Sequence, residues 1–540
     1  MTLQGAEKSF FLWFSFPFHG DSWYNCYVHD MYRRNTMGNY TVPPEILALK
    51  PRGTIVKKIK SGYYVYSHSQ YKDEKTGKWK TSSGKLLGKI VPGVGYCPNS
   101  SKCSEDKITC FDYGEYLLAS KLSVQEYGLL LQVFNPDEAM LVFALSTIYA
   151  THGFCGLKAA DSLYGRSLFA RDFPDLKFSY HRIAKLLELI GRESKMSSFQ
   201  SLAAKTASEF AVDGHPIATF SGENSLSSPG FKTASLGSDY MNLVTAVDVD
   251  TGLPFASRMY PGYMLDKSSF SDFMAEIGEI TGKCILIDMG FSAEENLKMI
   301  EDKGGFFIIP VPKNYSSYKE ITKKKPGRLS EFLYSGGGKS DLVGYREKVD
   351  GNRRVIYYVN RSEAERLCRA YRHGLDTGKK GYTEEKYLKE KDGYGVIVLT
   401  TNRKDLDAKQ VYEHYKKRWK IETFYDRLKN GLDFSGLNID DHAMIQGLSF
   451  CMLIAGRIDA RLLTAAKKLG YTWNSLIGLM KYLKVTDDGN GVRLHNKKKD
   501  HDAVLEKLGI SLSLTEKMPS GKEGRGKGQT IRIVPLYLIF

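Results

Sequence analysis

The sequence predicts an α/β protein: a mixed-sheet core interrupted by a β-rich insertion, with a small β module and a helical region before it and a helical region after it. Three observations carry this. Between residues 209 and 312, three apolar, β-branched runs follow one another in meander and then alternate with helical patterns, the order expected of a mixed sheet. Residues 313–392 break that order with a Gly- and Lys-rich segment holding β-like pieces such as Val355-Ile-Tyr-Tyr-Val. Strand and helix patterns resume at residue 395. The chain has 540 residues, 42% apolar and 26% charged, a globular composition that excludes wholesale disorder and a fibrous repeat. That length accommodates two to four domains of ~100–200 residues.

Taken in order, residues 1–38 are rich in aromatics without a clear period and are expected to form a poorly ordered extension, with Met37 a candidate start of translation. Residues 39–115 are expected to be a small basic β module, because runs such as Thr54-Ile-Val and Gly62-Tyr-Tyr-Val-Tyr alternate with Gly, Lys and Ser turns. Residues 116–208 read as helical. Asn135 followed by Pro136 is an N-cap with Pro at the first helical position, and Ser179 caps a second helix. Two readings stand for this region, a DNA-binding unit or a plain helical packing domain.

The first part of the core, 209–312, is predicted to hold strands at 210–220, 241–248, 255–260, 284–288 and 306–311, with helices from Asp266 and over 292–302. The insertion, 313–392, contains 20 Lys and Arg against 12 Asp and Glu, which is half of the chain's net charge of +16. The second part of the core, 393–440, follows as a strand at 395–400 and a helix over 405–432. A long apolar helix at 443–469 and a shorter one at 474–483 form the region 441–495. A basic tail without periodicity, 496–540, ends the chain.

A net charge of +16 favours a polyanionic partner such as nucleic acid. The apolar runs at 10–18 and 443–456 fall short of the ~18–20 uncharged residues of a membrane span, and the first lacks the basic flank and cleavage site of a signal peptide. No membrane partner is therefore expected. Eight cysteines at irregular spacing fit a reducing cytoplasm better than a disulfide scaffold.

Three acids sit where a carboxylate is costly without a task. Asp213 lies inside the apolar strand pattern Phe-Ala-Val-Asp-Gly-His-Pro-Ile, and Asp288 ends the apolar run Cys-Ile-Leu-Ile-Asp. Carboxylates at strand ends of an α/β sheet face the crevice where ligands bind; turn, cap or core polar roles are the plainer alternatives for each. The third is Glu422. From Tyr415, the offsets of 3, 7 and 14 residues to Arg418, Glu422 and Lys429 correspond to rotations of about 300°, 340° and 320°, a helix stripe about 60° wide. A carboxylate flanked by a phenol, a guanidinium and an ammonium suits a metal beside a phosphate. The plain alternative is a solvated face with an Arg418–Glu422 pair.

The spacing Tyr415-(2)-Arg418-(3)-Glu422-(6)-Lys429 resembles the signature of DDE transposases of the insertion-sequence-four family. Asp213-Gly-His is similar to that family's first catalytic-Asp motif. Ile287-Asp288-Met-Gly-Phe is similar to the second, with Met289 where many members have Arg or Lys. The resemblance covers roughly residues 40–485 and is strongest around Glu422. It implies a ribonuclease-H-like core with the β-rich insertion between Asp288 and Glu422, a gap of 134 residues against 75 between Asp213 and Asp288. It further implies that Asp213, Asp288 and Glu422 are catalytic and hold two Mg²⁺ or Mn²⁺ ions, hard cations suited to oxygen ligands. Tyr415, Arg418 and Lys429 would contact phosphates of double-stranded DNA, at the terminal inverted repeats of a bacterial insertion sequence. A homodimer on DNA, near the nucleoid in the cytoplasm, is the expected working form.

Other signals are weaker. Gly521 to Lys527 has P-loop spacing, but Gly528 replaces the metal-holding Ser or Thr. Cys97, Cys103 and Cys110 are too widely spaced for a common zinc site. Trp419 and Trp473 could stack on an unpaired base, although core packing is the better reading. Two functions compete with the transposase: a catalytically silent DNA-binding derivative, and a metal-dependent nuclease that joins no strands. The presence of all three acids favours an enzyme.

Overall fold

A computed structural model describes residues 42–72, 77–98, 109–229, 239–264, 266–323, 329–336, 338–487, 492–510, 514–515 and 532–533. The expected extension at 1–38, the P-loop-like segment and Cys103 lie outside the described residues. The chain divides into two units, residues 1–105 and 106–540.

In the first unit, four antiparallel strands, Thr54–Ile59, Gly62–Lys72, Trp79–Val91 and Gly95–Pro98, form one sheet in chain order. Lys60, at φ 56°, makes the tight turn between the first two. One face is closed by the short helix Pro44–Ala48, whose Ile46 meets Val65 and Ile90 in a small core.

The second unit is built on an eleven-stranded mixed sheet. Cys284–Ile287 lies at its centre, parallel to Glu209–Thr219 on one side and to Phe306–Pro310 on the other. Its four side chains are all buried, as a strand covered on both faces requires. Asp239–Asp248 runs antiparallel to Glu209–Thr219, and Pro254–Pro261 antiparallel to Asp239–Asp248. Beyond Phe306–Pro310 comes Val396–Thr401, antiparallel to it. The segment read as an insertion then widens this same sheet: Arg353–Asn360 pairs with Val396–Thr401, and Lys339–Asp350 and Ser330–Gly336 follow outward.

The helix His442–Leu469 is capped by Asp441 at its start and by the left-handed Gly470 at its end. It is long and apolar enough to cross a membrane, yet it is a core helix, packed against Tyr180–Arg192, Pro136–His152 and the strand Pro254–Pro261. Its crossing with Tyr180–Arg192 depends on two glycines. A Cβ on Gly447 would lie 2.0 Å from the Leu187 carbonyl oxygen, and one on Gly191 would lie 1.8 Å from that of Ala443. The helices of 114–204 share one continuous apolar core with the sheet.

Two local expectations change. Thr109–Asp112, which by sequence falls with the β module, pairs instead with Lys484–Asp487 and so belongs to the second unit. The stretch after Asn496, expected to lack periodicity, contains the helix Lys499–Lys507, held by the buried His501, whose Nε2 lies 2.9 Å from the Leu479 carbonyl. Neither feature has a local signal, because the partner of each is distant in sequence.

Candidate active site

Parallel pairing of Glu209–Thr219 with Cys284–Ile287 sets Val212 beside Ile287. Asp213 and Asp288, the next residue on each, therefore stand on adjacent strands, whose separation is ~4.8 Å. Asp288 stands at the N-cap position of the single turn Met289–Phe291, where the chain leaves the strand, and its side chain makes no capping bond there. Asp213 accepts a hydrogen bond from the Gly214 amide at 2.8 Å, which orients one of its oxygens.

Glu422, linked to Asp213 through Arg418, stands on a helical segment that is not the single regular helix expected over 405–432. Ala408–Lys416 opens with a capping box at Asp407, and Trp419–Asp426 follows. Between them Arg418, Lys420 and Ile421 donate to carbonyls three residues back, a tighter winding than the α-helix. Arg427–Gly431 then opens into a π turn. Uniform rotation of 100° per residue consequently fails over this stretch. Tyr415 is buried, Arg418 is largely enclosed, Glu422 is half-exposed and Lys429 is exposed on the π turn.

Arg418 occupies the middle of the cluster. Its Nη1 is 3.6 Å from Asp213 Oδ2, and its Nη2 donates to Glu422 Oε1. Burial opposes the charge on Arg418, but Tyr415, Asp288, Asp213 and Glu422 around it raise its pKa above the ordinary arginine value. Burial likewise raises the Tyr415 hydroxyl. The fold thus brings five of the six sequence-singled residues together; among the described contacts, Lys429 does not join them. No group of three or more His, Cys, Asp or Glu side chains among the described residues stands close enough together to hold a metal ion.

Residues that periodicity did not single out hold the cluster in place. Tyr425, one turn after Glu422, donates its hydroxyl to the Asp213 carbonyl at 2.7 Å and lies 3.1 Å from that of Leu243, fastening the Glu422 helix to two strands. His215 stacks on the Tyr425 ring at 4.7 Å. At the foot of the same strand, buried Glu209 meets His414 Nδ1 at 2.6 Å and Lys417 Nζ at 3.1 Å, and Lys417 also reaches Asp250. Arg427 makes a two-pronged pair with buried Asp459 and stacks over Trp473, fixing the far end of the segment to the core helix. Trp419, in contrast, is 66% exposed beside Arg418. The only sequence hint of Tyr425 was its place one helical turn from Glu422.

Residues 204–454 match the family model described as "Transposase DDE domain". No curated protein matches the sequence. Among solved structures, the cryo-EM structure of a piggyBac transposase synaptic complex with hairpin DNA is similar over 65% of this chain and 71% of that one, at 12% identity and a TM-score of 0.37. The stretch matched by the family model spans both strands bearing Asp213 and Asp288 and the whole Glu422 segment, and on that match the chain is an enzyme of the DDE transposase type.

Proposed function

We propose that this DNA transposase is of the insertion-sequence-four type and works at the ends of a bacterial insertion sequence, with Asp213, Asp288 and Glu422 as its metal-holding catalytic acids. The observation that carries the reading is that Asp213 and Glu422, from a strand and a helix, both pair with Arg418, while strand register sets Asp288 beside Asp213. A strand order of meander followed by two parallel strands supports a ribonuclease-H-like core for the catalytic part.

All three donors are carboxylates, the kind of ligand hard divalent cations take. In this arrangement Arg418 stands between Asp213 and Glu422, and the acids are not gathered closely enough to hold an ion until it gives way. Two Mg²⁺ or Mn²⁺ ions, when bound, would activate water and then a DNA 3'-hydroxyl for in-line attack on phosphorus. The chain's own residues supply placement. Gly214 and Tyr425 hold Asp213 through its side chain and backbone. Arg418, relieved of its acids, turns a planar fork of donors toward a phosphate. Tyr415 sits behind Arg418, and Lys429 offers an exposed ammonium further along the DNA path. The substrates are the element's terminal inverted repeats and target DNA, bound by a homodimer in the nucleoid.

The test uses DNA carrying the natural flanks of this gene, with Mg²⁺ or Mn²⁺, comparing wild type with Glu422→Gln and sequencing every broken and joined end. Metal-dependent cuts at both flanks with joined 3'-hydroxyls, lost in the variant while binding is kept, are expected. A Glu422→Gln protein that cuts like wild type overturns the site assignment.

A further inference from the structure

We propose that the first unit grips double-stranded DNA with a projecting two-stranded ribbon in the major groove and with Lys57 and Lys89 at its root on the phosphates. This rests on the reading of the protein as a transposase acting at DNA ends and says which surface holds that end.

The charge is concentrated here. Residues 42–98 contain 11 Lys and Arg against 3 Asp and Glu, a surplus as large as that of the whole 313–392 segment in fewer residues. The helical stretch 116–208, the other expected DNA-binding region, has 10 against 8. Several of its charges are spent internally, in Arg182 with Asp137, Arg192 with Glu188, and Lys195 with Glu138.

The geometry fits a groove. Within the sheet of the first unit, the last described pairs of the outer strands are Thr54 with Ser67 and Pro98 with Gly88. Among the described residues the two middle strands run on beyond these as a pair, from His68 opposite Ser83 to Lys72 opposite Trp79. These five pairs make an arm roughly 17 Å long. An isolated two-stranded ribbon is marginally stable in water and has no core to bury its side chains, yet this one presents Tyr71 and Trp79, 51% and 70% exposed, with Ser69, Lys72 and Ser82 also exposed. A B-DNA major groove, ~12 Å wide, admits a two-stranded β-ribbon, and hydroxyl and amine side chains can read base edges there.

The root supplies the phosphate contacts. On the face opposite the Pro44–Ala48 helix, the register aligns Lys57, Tyr64 and Lys89 across three neighbouring strands. Both lysines are exposed. They stand two strands apart, roughly 10 Å, close to the width of the groove. Lys57 is held in place by Ser83 at 2.7 Å and by the Tyr66 ring beneath it.

The full chain is titrated with a labelled duplex of the gene's own flank across a salt series. Lys57→Gln with Lys89→Gln should lower the slope of log affinity against log salt by ~1.8, at ~0.9 per lost phosphate contact, whereas Lys57→Arg with Lys89→Arg should keep it. In parallel, methylation of guanine N7, a major-groove atom, should be blocked by wild type and exposed again by Lys72→Gln with Trp79→Ala. An unchanged slope in the Gln pair, or N7 protection that survives the ribbon substitutions, overturns the proposal. So does loss of self-association without DNA in the Gln pair, which would make this face a subunit contact. Metal-dependent cutting by the Gln pair at wild-type affinity would sink the DNA grip proposed for the first unit and leave the transposase reading standing; cutting by Glu422→Gln would do the reverse.

Discussion

Arg418→Gln removes the cation that Asp213 and Glu422 share. At 3.6 Å from Asp213, and at an effective dielectric of ~20, the Arg418–Asp213 attraction is about 5 kcal/mol gross. Arg418 is 16% exposed and its partners Asp213 and Glu422 are 20% and 42% exposed. Solvent therefore screens part of the attraction, and losing the guanidinium also releases its desolvation penalty, leaving a net effect of ~1–2 kcal/mol. In EDTA the variant should melt a few degrees lower than wild type, a modest shift because each kcal/mol moves the midpoint by only ~2–4 °C in domains above 150 residues. Added Mg²⁺ or Mn²⁺ should raise the variant's midpoint more than that of wild type, because the Arg418 guanidinium no longer competes with the ion for Asp213 and Glu422. Differential scanning fluorimetry with and without metal reads both effects. Equal midpoints in EDTA together with equal metal-induced shifts would refute the idea that Arg418 balances these carboxylates.

Three further outcomes are expected. Tyr425→Phe takes a donor from the Asp213 and Leu243 carbonyls and should cost ~1–2 kcal/mol and slow DNA cutting at unchanged DNA affinity; a variant with wild-type melting and cutting would show that this hydroxyl positions nothing. Glu126 is fully buried between Arg457, at 3.2 Å, and Arg461, at 2.9 Å, so Glu126→Gln strands a buried guanidinium and should cost ~3 kcal/mol or more, with Glu126→Gln/Arg457→Met recovering much of it in urea unfolding. Burial raises Glu115 to about 7 and lowers His152, 3.9 Å away, to about 4. The Glu115 contribution is full below its unfolded value near 4.5 and is lost as pH rises through about 7, while that of His152 is present above about 6.5 and lost as pH falls through about 4. The two slopes oppose between about 4.5 and 6.5, so Glu115→Gln should gain stability relative to wild type as pH rises toward 7, by at most ~3 kcal/mol; a pH-independent difference between the two proteins would contradict this.

Much of the second unit is legible from short-range pattern. Asn135 and Ser179 cap the helices Pro136–His152 and Tyr180–Arg192, each side chain accepting from the amide three residues on. The core strands fall within a residue or two of the predicted runs, because a β-branched run bounded by turn residues is a local property. Asp213 and Asp288 could be singled out one at a time for the same reason, as acids in apolar strand sequence. Their adjacency could not, since it depends on the register between strands 75 residues apart.

Local chemistry therefore settles which residues carry charge, which segments wind or extend, and the helical proximity of Arg418 and Glu422. Packing decides the rest. It tightens the winding after Tyr415 and loosens it at Arg427–Gly431, so that Lys429 leaves the stripe that even spacing assigns it. It sets Tyr425 against the back of Asp213, pairs Thr109–Asp112 with Lys484–Asp487, and makes the basic 313–392 segment part of the main sheet. The physical reason is common to all of these. A cap or a period is fixed by atoms a few residues apart, whereas strand register and helix docking are fixed by the burial of side chains that meet only after the whole core has closed.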